Sequence, residues 1–173
     1  SAARLLGALG WAWDVRGYYD EAFGWFDKIR ILPDVVNYPD AYARLLNHIG
    51  RYASAFDNRL DARSVLEESQ ALWLKLGSQG EQGLAYVLCF LGMNAAGNER
   101  DFDKAESLYK QCLELSQNCN NSRMIAASVL FLGDIEYERG NLTQALKLYE
   151  QSLEFSQRIG DLFMLALASG AVG

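Results

Sequence analysis

An apolar residue followed by glycine recurs through this chain at nearly constant spacing: Leu9-Gly10, Ile49-Gly50, Leu91-Gly92, Leu132-Gly133 and Val172-Gly173. Successive glycines lie 40, 42, 41 and 40 residues apart. Other positions keep the same phase. Alanine stands seven residues before each glycine, at Ala3, Ala43, Ala85, Ala126 and Ala166. Four residues before it come Leu6, Leu46, Leu88 and Val129, with Ser169 in the last copy. Twelve residues after it come Ala22, Ala62 and Ala145, with Ala105 displaced by one, and four further on Phe26, Leu66, Tyr109 and Tyr149. A chain that repeats itself at this period stacks copies of one supersecondary unit.

Spacing within the unit tells what that element is. Positions −7, −4, −1 and 0, counted from the glycine, share one face of a helix with 3.6 residues per turn. Alanine and glycine there let a neighbouring helix approach closely, and leucine or isoleucine fills the remaining space. A second stripe follows, read in the fourth copy as Leu142, Leu146, Tyr149 and Leu153. Turn signals fall between the stripes, at Gly17, Asp57-Asn58, Gly97-Asn98 and Gly140-Asn141. Each unit therefore reads as helix, tight turn, helix.

The pattern Leu6-x-x-Leu9-Gly10-x-x-Trp13, then Ala22-x-x-x-Phe26, resembles the tetratricopeptide repeat, and Val129-x-x-Leu132-Gly133 with Ala145-x-x-x-Tyr149 is similar to it too. The resemblance implies an all-α, right-handed superhelical solenoid of antiparallel helix pairs, with four full repeats and the start of a fifth. Their approximate bounds are 1–36, 37–78, 79–119, 120–160 and 161–173, within a single solenoid spanning 1–173. The usual unit has about 34 residues, so this one is longer by roughly two helical turns. Gly140-Asn141-Leu142-Thr143-Gln144-Ala145-Leu146 and Ser156-Gln157-Arg158-Ile159-Gly160-Asp161 resemble the lengthened repeats of large bacterial signal-transduction ATPases and of maltose-regulon-type transcription activators. Similar long repeats occur in eukaryotic adaptors. Both ends break inside a repeat without a polar capping unit, which predicts a part of a longer protein whose other modules lie elsewhere.

Composition narrows the function further. The net charge of −6 comes from residues 61–173, since acidic and basic side chains cancel before that. An acidic surface is repelled by phosphate backbones, so no nucleic-acid contact is expected through this segment. It has no basic amphipathic stripe for a membrane surface, and the run from Leu84 to Gly97 is too short to span a bilayer. Three cysteines without C-x-x-C spacing fit a reducing, cytoplasmic setting, and the sequons at Asn120 and Asn141 read as chance matches.

Residues with catalytic chemistry do not assemble. His48 is the single histidine, a packed or surface residue by default. Gly77, Gly80 and Gly83 read as a loop without the Gly-Lys-Ser/Thr of a phosphate loop, and no metal motif is present. No enzyme, cofactor or metal is expected.

The resemblance instead implies a concave groove lined by first helices at positions −6, −3, +1 and +4. These are Arg4, Gly7, Trp11 and Asp14, then Arg44, Asn47, Arg51 and Ser54. The third copy gives Tyr86, Cys89, Met93 and Ala96, and the fourth Ala127, Leu130, Asp134 and Tyr137. Trp13 takes the core aromatic position, whereas Trp11 points off the packed face. Arg44, Asn47 and Arg51 share one face suited to a carboxylate or phosphate. Tyr86, Phe90 and Met93 suit an apolar side chain or a sugar face. A chaperone-type carboxylate clamp is excluded, because Gly7, Trp11, Tyr86 and Phe90 stand where its Lys, Asn and Arg belong.

The expected function is a protein-interaction or ligand-sensing scaffold in a bacterial signalling or transcriptional regulator, with a peptide or protein partner. A sugar-like small-molecule effector, or a spacer that self-associates through its ends, are the alternatives.

Overall fold

The computed structural model describes residues 17–33, 35–56 and 60–172. Every regular element among them is helical. The eight α-helices are α1 (Tyr19–Ile29), α2 (Pro39–Phe56), α3 (Ala62–Lys75) and α4 (Glu81–Asn94), then α5 (Phe102–Asn118), α6 (Ser122–Glu138), α7 (Leu142–Ile159) and α8 (Leu162–Val172). Short polar side chains start several of them. Asp61 accepts from the Arg63 amide at 3.2 Å, Asp101 from Lys104 at 3.0 Å and Asn121 from Met124 at 3.2 Å. Each satisfies a donor that the first helical turn leaves open. The chain forms two compact units that divide within α4, one through Phe90 and one from Leu91.

In the first unit α2 and α3 form a pair, and in the second α6 and α7 form its counterpart. Both pairs are antiparallel. Gly50 lies against Leu66 while Ala43, earlier in α2, meets Ser69, later in α3. Gly133 likewise lies against Tyr149 while Ala126 meets Ser152.

The repeated glycine does what its spacing predicts. A Cβ on Gly50 would stand 2.6 Å from Leu66, one on Gly133 2.6 Å from Tyr149 and one on Gly92 2.4 Å from Tyr109. Each partner is the large residue that follows the second-helix alanine by four, packed onto bare backbone. The alanines Ala22, Ala62, Ala105 and Ala145 are all buried.

The second-helix stripe differs from the expected one. The buried face of α7 is Ala145, Tyr149, Ser152 and Ser156, whereas Leu142 and Leu146 are exposed and Leu153 is half-buried. The same face in α3 is Ala62, Leu66, Ser69 and Trp73, and in α5 it is Ala105, Tyr109, Cys112 and Ser116. Small residues occupy it because the helices approach closely there. The serine hydroxyls stay satisfied: Ser69 donates to the Ala43 carbonyl at 2.7 Å and Ser152 to the Ala126 carbonyl at 2.9 Å. In both pairs the carbonyl of the alanine seven before the glycine accepts a serine hydroxyl from the neighbouring helix. In α8 the corresponding Ala166 is exposed.

The displaced Ala105 has a structural cause. Ala95–Glu99 form a π-helical turn at the end of α4. The wider winding takes up one extra residue before α5 begins. Gly97 and Asn98 therefore lie inside that turn, and the left-handed residue that closes it is Arg100, at φ 56°. In the next repeat the same job falls to Gly140, at φ 81°. Gly83 was also expected in a loop. It lies in α4, where a Cβ would come within 2.3 Å of the Trp73 ring.

A left-handed conformation costs an ordinary L-residue about 1–2 kcal/mol, and glycine nearly nothing. The exposed Arg100–Glu138 ion pair, at 3.7 Å, offsets little of that. Arg100→Gly should raise the stability to urea by about 0.5–1 kcal/mol, measured as a higher denaturation midpoint at unchanged slope.

Candidate functional site

Among the groove positions, the one three residues before the glycine is systematically misplaced. Asn47, Cys89 and Leu130 are all buried, not exposed to a groove. The reason is periodicity: position −3 is one helical turn past the alanine at −7 and shares its packed face. Ala127 is buried as well. The other positions face outward to different degrees. Arg44, Asp134 and Tyr137 are exposed, while Arg51, Ser54, Tyr86, Phe90, Met93 and Ala96 are half-buried. Arg4, Gly7, Trp11, Trp13 and Asp14 lie outside the described residues.

In the first unit these side chains form a cluster. The Arg51 guanidinium lies over two rings, 4.8 Å from the Tyr52 centroid and 5.9 Å from that of Phe90. Tyr86 stands 6.4 Å from Phe90, centroid to centroid. A cation over aromatic faces at these separations is attracted by the ring quadrupoles and so restrained. Arg44 sits on the same helix face as Arg51, two turns or roughly 10 Å away, and no acidic side chain among the described residues pairs with it. Two first helices of consecutive repeats thus present guanidinium groups beside half-exposed aromatic rings.

Beneath the cluster lie further aromatic groups outside the groove register. Tyr52 is buried, its ring 5.0 Å from Tyr19 and 6.2 Å from His48. Burial pushes its phenol up to about 12. His48 is pulled down to about 4, chiefly by burial and secondarily by the Arg44 charge. The imidazole is therefore neutral at physiological pH and serves as a packing element. An aromatic beside the arginine in α2, Arg51-Tyr52, was the sequence signal for this platform.

The second unit uses its groove candidates differently. The Asp134 carboxylate accepts from the Tyr149 hydroxyl at 2.9 Å. Although the residue as a whole is exposed, its carboxyl loses water where it packs against the helix pair, which raises its pKa; the Tyr149 hydrogen bond opposes that, and Glu138 adds to it. Asp134 thus ties α6 to α7 through the same tyrosine that covers Gly133. The ring of Phe131 stacks on Tyr109 at 5.3 Å. Only Tyr137 stands well clear of its neighbours, with 59% of its surface exposed.

Other concentrations of chemistry are internally balanced. Arg139 pairs with Asp103 and Glu106, both at 2.6 Å, and with Glu136 at 3.2 Å. A cleft of about 470 Å³ opens between the end of α1, the start of α2 and the first turns of α3. Its principal charged and phenolic groups have partners: Arg30 faces Asp27 at 3.3 Å, and the Tyr42 phenol donates to Glu68. No group of three His, Cys, Asp or Glu side chains among the described residues is arranged to hold a metal ion. No helix among them is long and apolar enough to cross a membrane.

Comparison with known families gives one match: residues 83–158 fit the tetratricopeptide repeat family. That stretch holds the third and fourth glycine-centred copies. No curated protein matches the chain.

The His48 shift sets a pH dependence. The unfolded chain binds that proton with an ordinary pKa near 6.5, the folded chain only at about 4. The stability linked to a neutral His48 is whole above pH 6.5 and is lost as the pH falls to 4. Over that window the wild type should lose on the order of 3 kcal/mol more than His48→Gln, measured by denaturant unfolding at a series of pH values.

Proposed function

We propose that this segment is a non-catalytic interaction module whose first unit docks an acidic, aromatic-bearing peptide of a protein partner on the face formed by Arg44, Arg51, Tyr86 and Phe90. Tetratricopeptide repeats are generally protein-interaction scaffolds, and the family match over residues 83–158 supports that class. The observation that carries the finer reading is the Arg51 guanidinium spread over Tyr52 and Phe90, with Arg44 two turns away.

The chemistry follows from that arrangement. Guanidinium groups form charge-assisted hydrogen bonds with carboxylates, and their planar fork takes both oxygens at once. Laying Arg51 on two rings restricts it before any partner arrives, which lowers the entropy lost on binding. Tyr86 and Phe90 give the partner's apolar side chain a half-buried bed that is rigid and inexpensive to order. A partner carrying Asp or Glu within a few residues of an aromatic side chain meets both features. The lengthened repeat supports placing the segment in a signalling or transcriptional regulator, where occupancy of the face would report a partner's presence.

An array of peptides varied in acidic and aromatic content tests this directly. The wild type should select peptides that combine both, and affinity should fall with added salt. Arg44→Ala and Arg51→Ala should each weaken the selected peptide by about 1.5–3 kcal/mol, roughly ten- to a hundredfold, with helicity unchanged by circular dichroism. Selection of basic peptides, or unaltered affinity in both variants, would remove the assignment.

A further inference from the structure

We infer that Asn47 is a positioning residue for this face: its buried amide clasps α2 to both α3 and α4 and so sets where Arg51 meets Phe90. The inference rests on the docking reading above for its consequence, and on the geometry of the first unit for its substance.

Asn47 is out of pattern. The third and fourth copies hold Cys89 and Leu130 at this position, both buried. A buried amide costs free energy unless its hydrogen bonds are made. Those of Asn47 are made to two different helices. Its Oδ1 lies 2.6 Å from the Ser69 hydroxyl of α3, whose one proton it shares with the Ala43 carbonyl, and its Nδ2 donates to the Gly83 carbonyl of α4 at 3.3 Å. Satisfied polar groups in a core select one arrangement among several that apolar packing tolerates.

The α4 end of the clasp is held a second time. Gly83 lies so close to Trp73 that a Cβ would come within 2.3 Å of the ring. Asn47 from α2 and Trp73 from α3 thus hold one residue of α4 between them. Gly83, Tyr86 and Phe90 lie at i, i+3 and i+7 along α4, and Asn47 and Arg51 lie about one turn apart along α2. The Asn47–Gly83 bond and the Arg51–Phe90 contact are therefore successive contacts along the same two helices. Arg51 lies 5.9 Å from the Phe90 ring, near the roughly 6 Å beyond which a cation–π contact fades. A slide of about 1 Å between α2 and α4 would uncouple the two groups.

The test compares wild type with Asn47→Leu, a residue that Leu130 shows the repeat accommodates at this position. Two readouts are taken: the Arg51 Nε–H chemical shift by NMR in the free protein, and the affinity for the best acidic-aromatic peptide of the array. The variant should stay folded, its Arg51 resonance should lose the Phe90 share of its ring-current displacement while keeping that of Tyr52, and affinity should fall about tenfold. Ser69→Ala, which frees one end of the clasp, should move both readouts the same way by less, and it decides the matter should Asn47→Leu fail to fold. Unchanged resonance and affinity within twofold in a folded variant would overturn the inference. A displaced resonance in a protein that binds no acidic peptide would retain the clasp and sink only the docking reading.

Discussion

In the three repeats whose glycine is described, that glycine of the first helix lies directly beneath a large side chain of the second. Leucine covers Gly50, and tyrosine covers both Gly92 and Gly133. The contact sets the distance between paired helices, and close approach is what makes the rest of the unit possible. It explains why alanine and serine fill the facing stripe. It explains why a serine hydroxyl reaches across to the carbonyl of the alanine seven residues before the glycine. Wider spacing would leave cavities around small side chains, and interiors packed to crystal-like density do not tolerate them.

Each unit then builds a different surface on that frame. In the first, the outward strip of α2 carries arginines, and one of them lies over Tyr52 and Phe90. In the second, the corresponding acidic side chain, Asp134, is committed to Tyr149 and so to the helix pair itself. Identical register positions thus do different work: Arg51 lies over aromatic rings and Asp134 braces the fold. Only contacts at the level of individual atoms separate the two roles.

The helix pairs were legible because their constraint is local. A glycine, an alanine seven before it and a large residue sixteen after it betray a close crossing without any knowledge of what lies elsewhere. What escaped was of another kind. Position −3 was placed in a groove by analogy, although its own spacing from Ala43, Ala85 and Ala126 puts it on the packed face. The apolar stripe of α7 was drawn through its leucines because hydrophobicity is easy to see, whereas the buried face contains Ser152 and Ser156, whose polarity is masked by bonds to backbone carbonyls. The displacement of Ala105 was visible as a number. Its meaning, a π-helical turn over Ala95–Glu99, required backbone geometry. The clasp at Asn47 depends on partners 22 and 36 residues away, beyond the reach of any periodicity within one helix.

The claim beneath all of this is that residues 133 and 149 occupy one shared space. A double-mutant cycle measures that most directly, with Gly133→Ala, Tyr149→Ala and their combination unfolded in urea. A methyl group forced under the tyrosine overpacks the contact, whereas the same methyl under alanine enters space already vacated. The account predicts that the double variant is more stable than the sum of the single losses allows, by about 1 kcal/mol or more. Strict additivity would contradict it, because the glycine and the tyrosine would then be acting independently.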